Sequence, residues 1–250
     1  MSDKGQFVYD TFQAIANHYD HMNGIVSFGL HHAWRRAAVR ELGVRAGSAI
    51  LDVCCGTGDL TALLAKQTSP DGLVTGLDFS PSMLRQAEVK CSERQLSNVS
   101  LLLGDALALP FPDNSFHYVT MAFALRNVGN LSLALHEMWR VVAPGGRVLI
   151  LDLSHPRGAL LRPLHACYVR RILPWVAGRL TGEKVAYRWL PESLHGFPDS
   201  DALLSLLSRI GLVEPRARLL LGGIAAIHIA SKASGTRGQS PRSNPMPWKL

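Results

Sequence analysis

Between residues 48 and 152 the chain alternates short, largely apolar runs with longer segments whose apolar positions recur every three or four residues. Short runs rich in Leu, Val and Ile suit strands buried on both faces, and the longer segments suit amphipathic helices. The pattern predicts strands at Ala49–Val53, Leu73–Asp78, Val99–Leu103, Tyr118–Ala122 and Val148–Asp152. It predicts helices at Leu60–Lys66, Ser82–Arg94 and Leu131–Val142. Thr57 or Asp59 is placed to cap the first helix, and Ser80 the second, with Pro81 early in it. Pro144-Gly145-Gly146 ends the third and turns the chain into the next strand. Such alternation builds a parallel sheet with helices on both faces, a doubly wound α/β fold.

The flanks read differently. Helices are predicted over Val8–His18 and Ala33–Leu42, ahead of the first strand. Beyond Asp152, Leu203–Ile210 reads as a helix ended by Gly211, and Ala217–Leu221 with Ile224–Ser231 reads as a hairpin turning at Gly222-Gly223. The chain therefore divides into an N-terminal helical cap (1–45), a main α/β domain (46–232) carrying a basic helical insertion (157–200), and a tail (233–250). The tail is rich in Ser, Pro, Gly and Arg and is expected to be disordered.

Composition narrows the class. A chain of 250 residues, 47% hydrophobic, suits one large domain with a small appendage. No apolar run reaches the roughly 18 residues of a spanning helix, and no apolar signal core follows the first residues, so a soluble or peripheral cytoplasmic protein is expected. Cys54, Cys55, Cys91 and Cys167 form no CxxC spacing, which points to reduced thiols rather than a disulfide framework or zinc. His18/His21 and His31/His32 have no carboxylate or thiol beside them at ligand spacing, and no metal is expected.

The net charge of +7 is concentrated. Residues 157–190 hold Arg157, Arg162, Arg170, Arg171, Arg179, Lys184 and Arg188 against Glu183 alone, a patch suited to phosphate of lipid headgroups or nucleic acid. On a helix, Leu161, Leu164, Tyr168, Ile172 and Trp175 share one face beside Arg162, Arg170 and Arg171, as in an element docking on an anionic membrane surface.

The candidate chemistry gathers at strand ends. The first strand runs into Asp52-Val53-Cys54-Cys55-Gly56-Thr57-Gly58-Asp59. In doubly wound sheets, ligands bind beyond the carboxyl ends of the strands. Asp78 closes the second strand, 20 residues after Gly58, where a carboxylate can accept from ribose hydroxyls; Asp105 follows the third. A nicotinamide fingerprint wants a third glycine, and Thr61 stands in its place. Asp52 and Asp59 beside the turn disfavour a pyrophosphate but tolerate a cationic ligand with an α-amino group, such as S-adenosylmethionine. The set Gly56, Gly58, Asp78 and Asp105 resembles the class I methyltransferases, and the terminal hairpin agrees with the antiparallel last strand of that family. The implied fold is a seven-stranded, mostly parallel sheet.

The acceptor is read from the fourth strand's end. Amine methylases often carry Asn/Asp-Pro-Pro-Tyr there; this chain has Ala122-Phe123-Ala124-Leu125-Arg126-Asn127-Val128, apolar and then cationic. A greasy acceptor with a carbon or oxygen nucleophile fits better, and nucleic acid is not the expected partner. Residues 19–36, 124–128, 136–154, 187–203 and 222–228 resemble the ubiquinone/menaquinone biosynthesis C-methyltransferases, the demethylmenaquinone branch at least as well as the ubiquinone branch. By position, the resemblance implies that Thr57, Asp78, Asp105 and Ala106 bind S-adenosylmethionine, joined by Asp52, Gly56 and Gly58 of the turn. It implies methylation of a prenylated quinol, with Arg126 on the developing oxyanion, Asn127 orienting the ring hydroxyl, and Tyr19 or His32, or less readily His228, relaying the proton. A small-molecule O-methyltransferase is the rival reading.

Overall fold

The computed structural model describes residues 3–16, 19–158, 161–168 and 191–234. Seven strands form one sheet: β1 (Ala49–Val53), β2 (Leu73–Asp78), β3 (Val99–Leu103), β4 (Phe116–Ala122), β5 (Val142–Leu153), β6 (Leu212–Leu220) and β7 (Ala225–Lys232). Their order is β3-β2-β1-β4-β5-β7-β6, with β7 antiparallel to both neighbours and the other pairs parallel. This is the mostly parallel seven-stranded sheet expected from the sequence. All five residues of β1 are buried, because helices cover both faces.

The period-2 alternation of each strand divides the core. Leu51, Val53, Val119, Met121, Val148 and Ile150 face α6 (Leu131–Val141) and the helix Ser200–Arg209, named α8. Ile50, Tyr118, Leu149 and Leu151 face α3 (Leu30–Leu42) and α4 (Asp59–Thr68). Burying whole aliphatic side chains on each face contributes about 1.5–3 kcal/mol per residue, which makes the sheet the rigid part of the site.

Several boundaries differ from the sequence reading. The first helix, α1, runs Asp3–Ile15, and a second, α2, occupies Tyr19–Val26 in a stretch whose Gly24 and Asn23 weaken helix propensity. α4 starts after Gly58, in the left-handed conformation at φ 79°, and no side chain caps it. Ser80 does cap α5 (Pro81–Glu93), accepting from the Met83 amide at 3.3 Å with Pro81 in the first turn. β5 begins at Val142, so Pro144-Gly145-Gly146 lies inside it; a register shift against β4 between Phe116 and Tyr118 takes up the irregularity. The hairpin turns through Leu221–Gly223 with Gly222 and Gly223 at positive φ, and β6 begins at Leu212, ahead of the expected strand.

In the basic insertion, α7 covers Leu161–Cys167. Leu161 packs against Gly222, and the Tyr168 hydroxyl donates to the Val26 carbonyl at 2.8 Å, so these two members of the apolar stripe meet the protein itself. Leu164 is exposed. Arg170, Arg171, Ile172 and Trp175, and the tail from residue 235, lie outside the described residues. Among the described residues no helix is long and apolar enough to cross a membrane.

Candidate functional site

A cavity of about 290 Å³ opens at the carboxyl ends of β1, β2, β3 and β4. Parallel strands all release their chains at this end, so the loops after them converge. One wall carries Gly56, Asp78, Phe79, Met83 and residues 103–107; the facing wall carries Ala122, Phe123, Ala124, Asn127, Val128 and Gly129. Val8, Tyr9, Phe12 and Tyr19 from α1 and α2 close the top.

The turn after β1 is built on positive φ. Gly56 sits at φ 55° and Gly58 at 79°. A Cβ on Gly58 would come within 3.0 Å of the Ala87 Cβ, so only glycine lets α4 begin this close to α5. Asp78 braces the turn from β2: its Oδ2 accepts from the Gly56 amide at 2.8 Å, and its Oδ1 from the Ser80 amide at 2.9 Å. Burial raises the Asp78 carboxyl to about 6, against the amides that favour its charge. Asp105 is exposed and accepts from the Leu107 amide at 2.9 Å, while Ala106 is buried beside it.

The other acids of the turn are engaged elsewhere. Asp52 is 1% exposed, outside the cavity wall, and accepts from Thr61 Oγ1 at 2.6 Å and Thr120 Oγ1 at 2.8 Å. Burial raises it to about 6 as well. Asp59 accepts from Lys90 Nζ at 2.6 Å and faces Arg35 Nη1 at 3.6 Å. Burial acts to raise its carboxyl, but the Arg35 and Lys90 charges outweigh burial and hold it below the ordinary value. The sequence reading had both acids confronting the ligand; Asp52 instead accepts from two threonines, and Asp59 is held by the Lys90 ammonium and the nearby Arg35 charge. Thr57 is buried and donates to Asp20 Oδ1 at 2.5 Å.

Of the candidate catalytic groups, Asn127 and Tyr19 line the cavity. Arg126 is engaged differently from the expectation. Its Nη1 pairs with the buried Asp152 carboxylate and donates to the Phe123 carbonyl at 2.7 Å, behind the wall rather than on it. His32 is exposed and stacks on His31, with centroids 3.9 Å apart, away from the cavity. His228 is buried in β7 against Ser200 Oγ at 2.9 Å, and burial lowers it to about 4. Cys54 lines the cavity, but burial and then Asp78 push its thiol well above the ordinary range, and the same causes act on Cys55, so neither is a ready nucleophile.

One expectation about metal ligands is corrected. Asp59 does come together with His31 and His32, their ligand atoms lying within 4.8 Å of one another. Because Lys90 and Arg35 already neutralise that carboxylate, the cluster is electrostatically poor for a divalent cation. Sequence reasoning also missed Asp20, Lys90 and Gln13, which join elements far apart in the chain, and Arg35, whose guanidinium lies 5.0 Å from the centroid of the Phe123 ring.

Comparison with known proteins gives a consistent result. A model described as the ubiE/COQ5 methyltransferase family matches residues 1–232. A "demethylmenaquinone methyltransferase" of Anoxybacillus flavithermus is 41% identical over 235 residues, 94% of this chain and 99% of that protein. One of Staphylococcus aureus strain JH9 is 42% identical over 225 residues, 90% of this chain and 92% of that protein. A crystal structure of a SAM-dependent methyltransferase from Aquifex aeolicus superposes with a TM-score of 0.58 at 21% identity, over 78% of this chain and 88% of that one, a likeness of fold.

Proposed function

This chain belongs to the ubiE/COQ5 methyltransferase family, and on that premise we propose that it transfers the methyl group of S-adenosylmethionine to a ring carbon of a prenylated demethylmenaquinol. The observation that carries the reading is the cavity's polarity. Two carboxylates, Asp78 and Asp105, stand on one wall; the facing wall is apolar apart from Asn127.

The residues present fit the methyl donor. Asp78 and Gly56 would hold its ribose, and Asp105 and Ala106 its adenine edge, while Phe79, Met83 and Leu107 offer apolar surface for the base. When bound, S-adenosylmethionine supplies an electrophilic methyl on a sulfonium.

The acceptor needs a nucleophilic ring carbon, and a hydroquinone gains one when a ring hydroxyl gives up its proton. Phe123, Ala122, Ala124 and Val128 exclude water and take the ring. Asn127 and Tyr19 are the neutral polar side chains of the acceptor side and hold the ring oxygens, Tyr19 from the lid. Arg126 and Asp152 fix the 3-10 turn Leu125–Asn127 that carries Asn127. Aligned approach of the carbon to the methyl supplies the rest of the acceleration; as the new C–C bond forms the sulfur–methyl bond breaks to leave a thioether, and the ring carbon then loses its hydrogen as a proton, which restores the aromatic ring. Turnover of a short-chain demethylmenaquinol with labelled donor tests the reading; no methylated product from enzyme that demonstrably binds the donor would sink it.

A prenylated acceptor is dissolved in a bilayer, so the enzyme works at a membrane surface. Support comes from Phe28, Leu164 and Leu221, exposed by 78%, 59% and 57%, on segments linked through Tyr168–Val26 and Leu161–Gly222. Anionic liposomes are expected to carry the wild type on flotation and to lose a Phe28→Ser/Leu164→Ser variant. Equal flotation of both rules out this surface.

A further inference from the structure

We infer that Lys90 is a positioning residue whose ion pairs latch the lid formed by α1 and α2 over the donor, setting how fast the donor enters and leaves. The inference rests on the methyltransferase reading. Lys90 lies on α5, outside the cavity, with its side chain 13% exposed. Its Nζ donates to Asp20 Oδ2 at 2.6 Å, Asp59 Oδ1 at 2.6 Å and Thr57 Oγ1 at 3.1 Å, which uses all three of its protons. Asp20 belongs to the lid, and Thr57 and Asp59 belong to the glycine turn and the start of α4. Thr57 itself donates to Asp20, so the lid and the turn are joined twice at one point.

The joint reaches the cavity on both sides. Asp20 follows Tyr19, which lines it. Asp59 faces Arg35, which lies over the Phe123 ring on the acceptor wall. One charged belt, Asp20–Lys90–Asp59–Arg35, thus ties the lid to the wall it must meet.

Among the described residues the lid's other attachments are single contacts, one of them the Tyr168 hydroxyl donating to the Val26 carbonyl of α2 at 2.8 Å. Gln13 Oε1 accepts from Ser80 Oγ at 2.6 Å and from the Ser82 amide at 3.1 Å. Tyr9 meets Phe79 edge-on with centroids 5.5 Å apart, and Ala16 packs on Met83. Among the described side chains these contacts are small and largely polar, which suits a segment that opens locally, as entry beneath it requires.

The test reads dissociation of S-adenosylhomocysteine by stopped-flow competition. Asp20→Asn breaks the lid end of the latch at a side chain that is 42% exposed, so the fold survives. It is expected to release the ligand about two- to fivefold faster, the range in which loss of one partly exposed charge pair moves an off-rate. Lys90→Met should do the same, the double variant should be no faster than either single, and Lys90→Arg should restore slow release. Amide exchange over residues 3–16 should quicken in step. Unchanged release from both single variants overturns the latch. Failure of the wild type to bind at all overturns the reading beneath it, which separates the two.

Discussion

Replacing Arg126 with Leu is expected to lower folding stability by about 3–5 kcal/mol, the usual result of leaving a buried charge without its partner. Asp152 is 1% exposed, and Arg126 Nη1 pairs with its Oδ1. After the substitution the carboxylate keeps the Leu153 amide at 2.8 Å and the Arg126 main-chain amide at 3.3 Å but loses its compensating cation. For a chain of this size the midpoint of thermal unfolding should fall by on the order of 10 °C. An Arg126→Leu/Asp152→Leu double variant should recover much of that loss, because apolar replacement of a whole buried pair is often neutral. Scanning calorimetry of the four proteins of the cycle decides. If Arg126→Leu unfolds at the wild-type temperature yet turns over hundreds of times more slowly, the guanidinium acts on the acceptor's oxyanion, as the sequence suggests, and not as a brace.

Asp78→Ala should weaken binding of the donor by about 1.5–3 kcal/mol, the scale of hydrogen bonds to a charged group. The wild type carries the same information in its pH dependence. Its carboxyl is raised to about 6 in the empty protein, and two ribose hydroxyls donate to the ionised form. Affinity is therefore present above that value and lost as pH falls through it, by about tenfold between pH 8 and pH 5. Folding stability runs the other way for this group: a carboxyl raised above its unfolded value favours the fold below about 3.8 and loses that contribution as pH rises through about 6. Titration calorimetry of both proteins at the two pH values checks the claim. Asp78→Ala should bind weakly and without that pH dependence; wild-type affinity in a folded Asp78→Ala would remove Asp78 from the donor site.

The sheet was legible in the sequence because a parallel strand buried on both faces leaves a short apolar run, and because Gly56, Gly58 and Asp78 punctuate strand ends at fixed spacing. The β7 hairpin was legible from Gly222-Gly223. The antiparallel pairing of β7 with β5 followed from resemblance rather than from periodicity. α2 escaped notice because its helix is stabilised by packing against α1 within the lid, where the Tyr19 and Phe12 ring centroids lie 5.8 Å apart, and not by propensity. The roles of the charged residues were the least legible. Asp59 finds Lys90 31 positions away and Arg126 finds Asp152 26 away, and nothing local marks either pair. A carboxylate beside a glycine turn reads the same whether it meets a ligand or a lysine.

The acceptor atom is the point on which the account stands most directly. Incubating the enzyme with a reduced short-chain demethylmenaquinol and S-adenosylmethionine carrying a deuterated methyl group, then locating the label by mass spectrometry and carbon NMR, reads that atom. The account predicts the label on the ring carbon, giving a menaquinol, and no transfer to the oxidised quinone, whose ring carbon is not nucleophilic. A label found on a ring oxygen would contradict it and make the protein an O-methyltransferase.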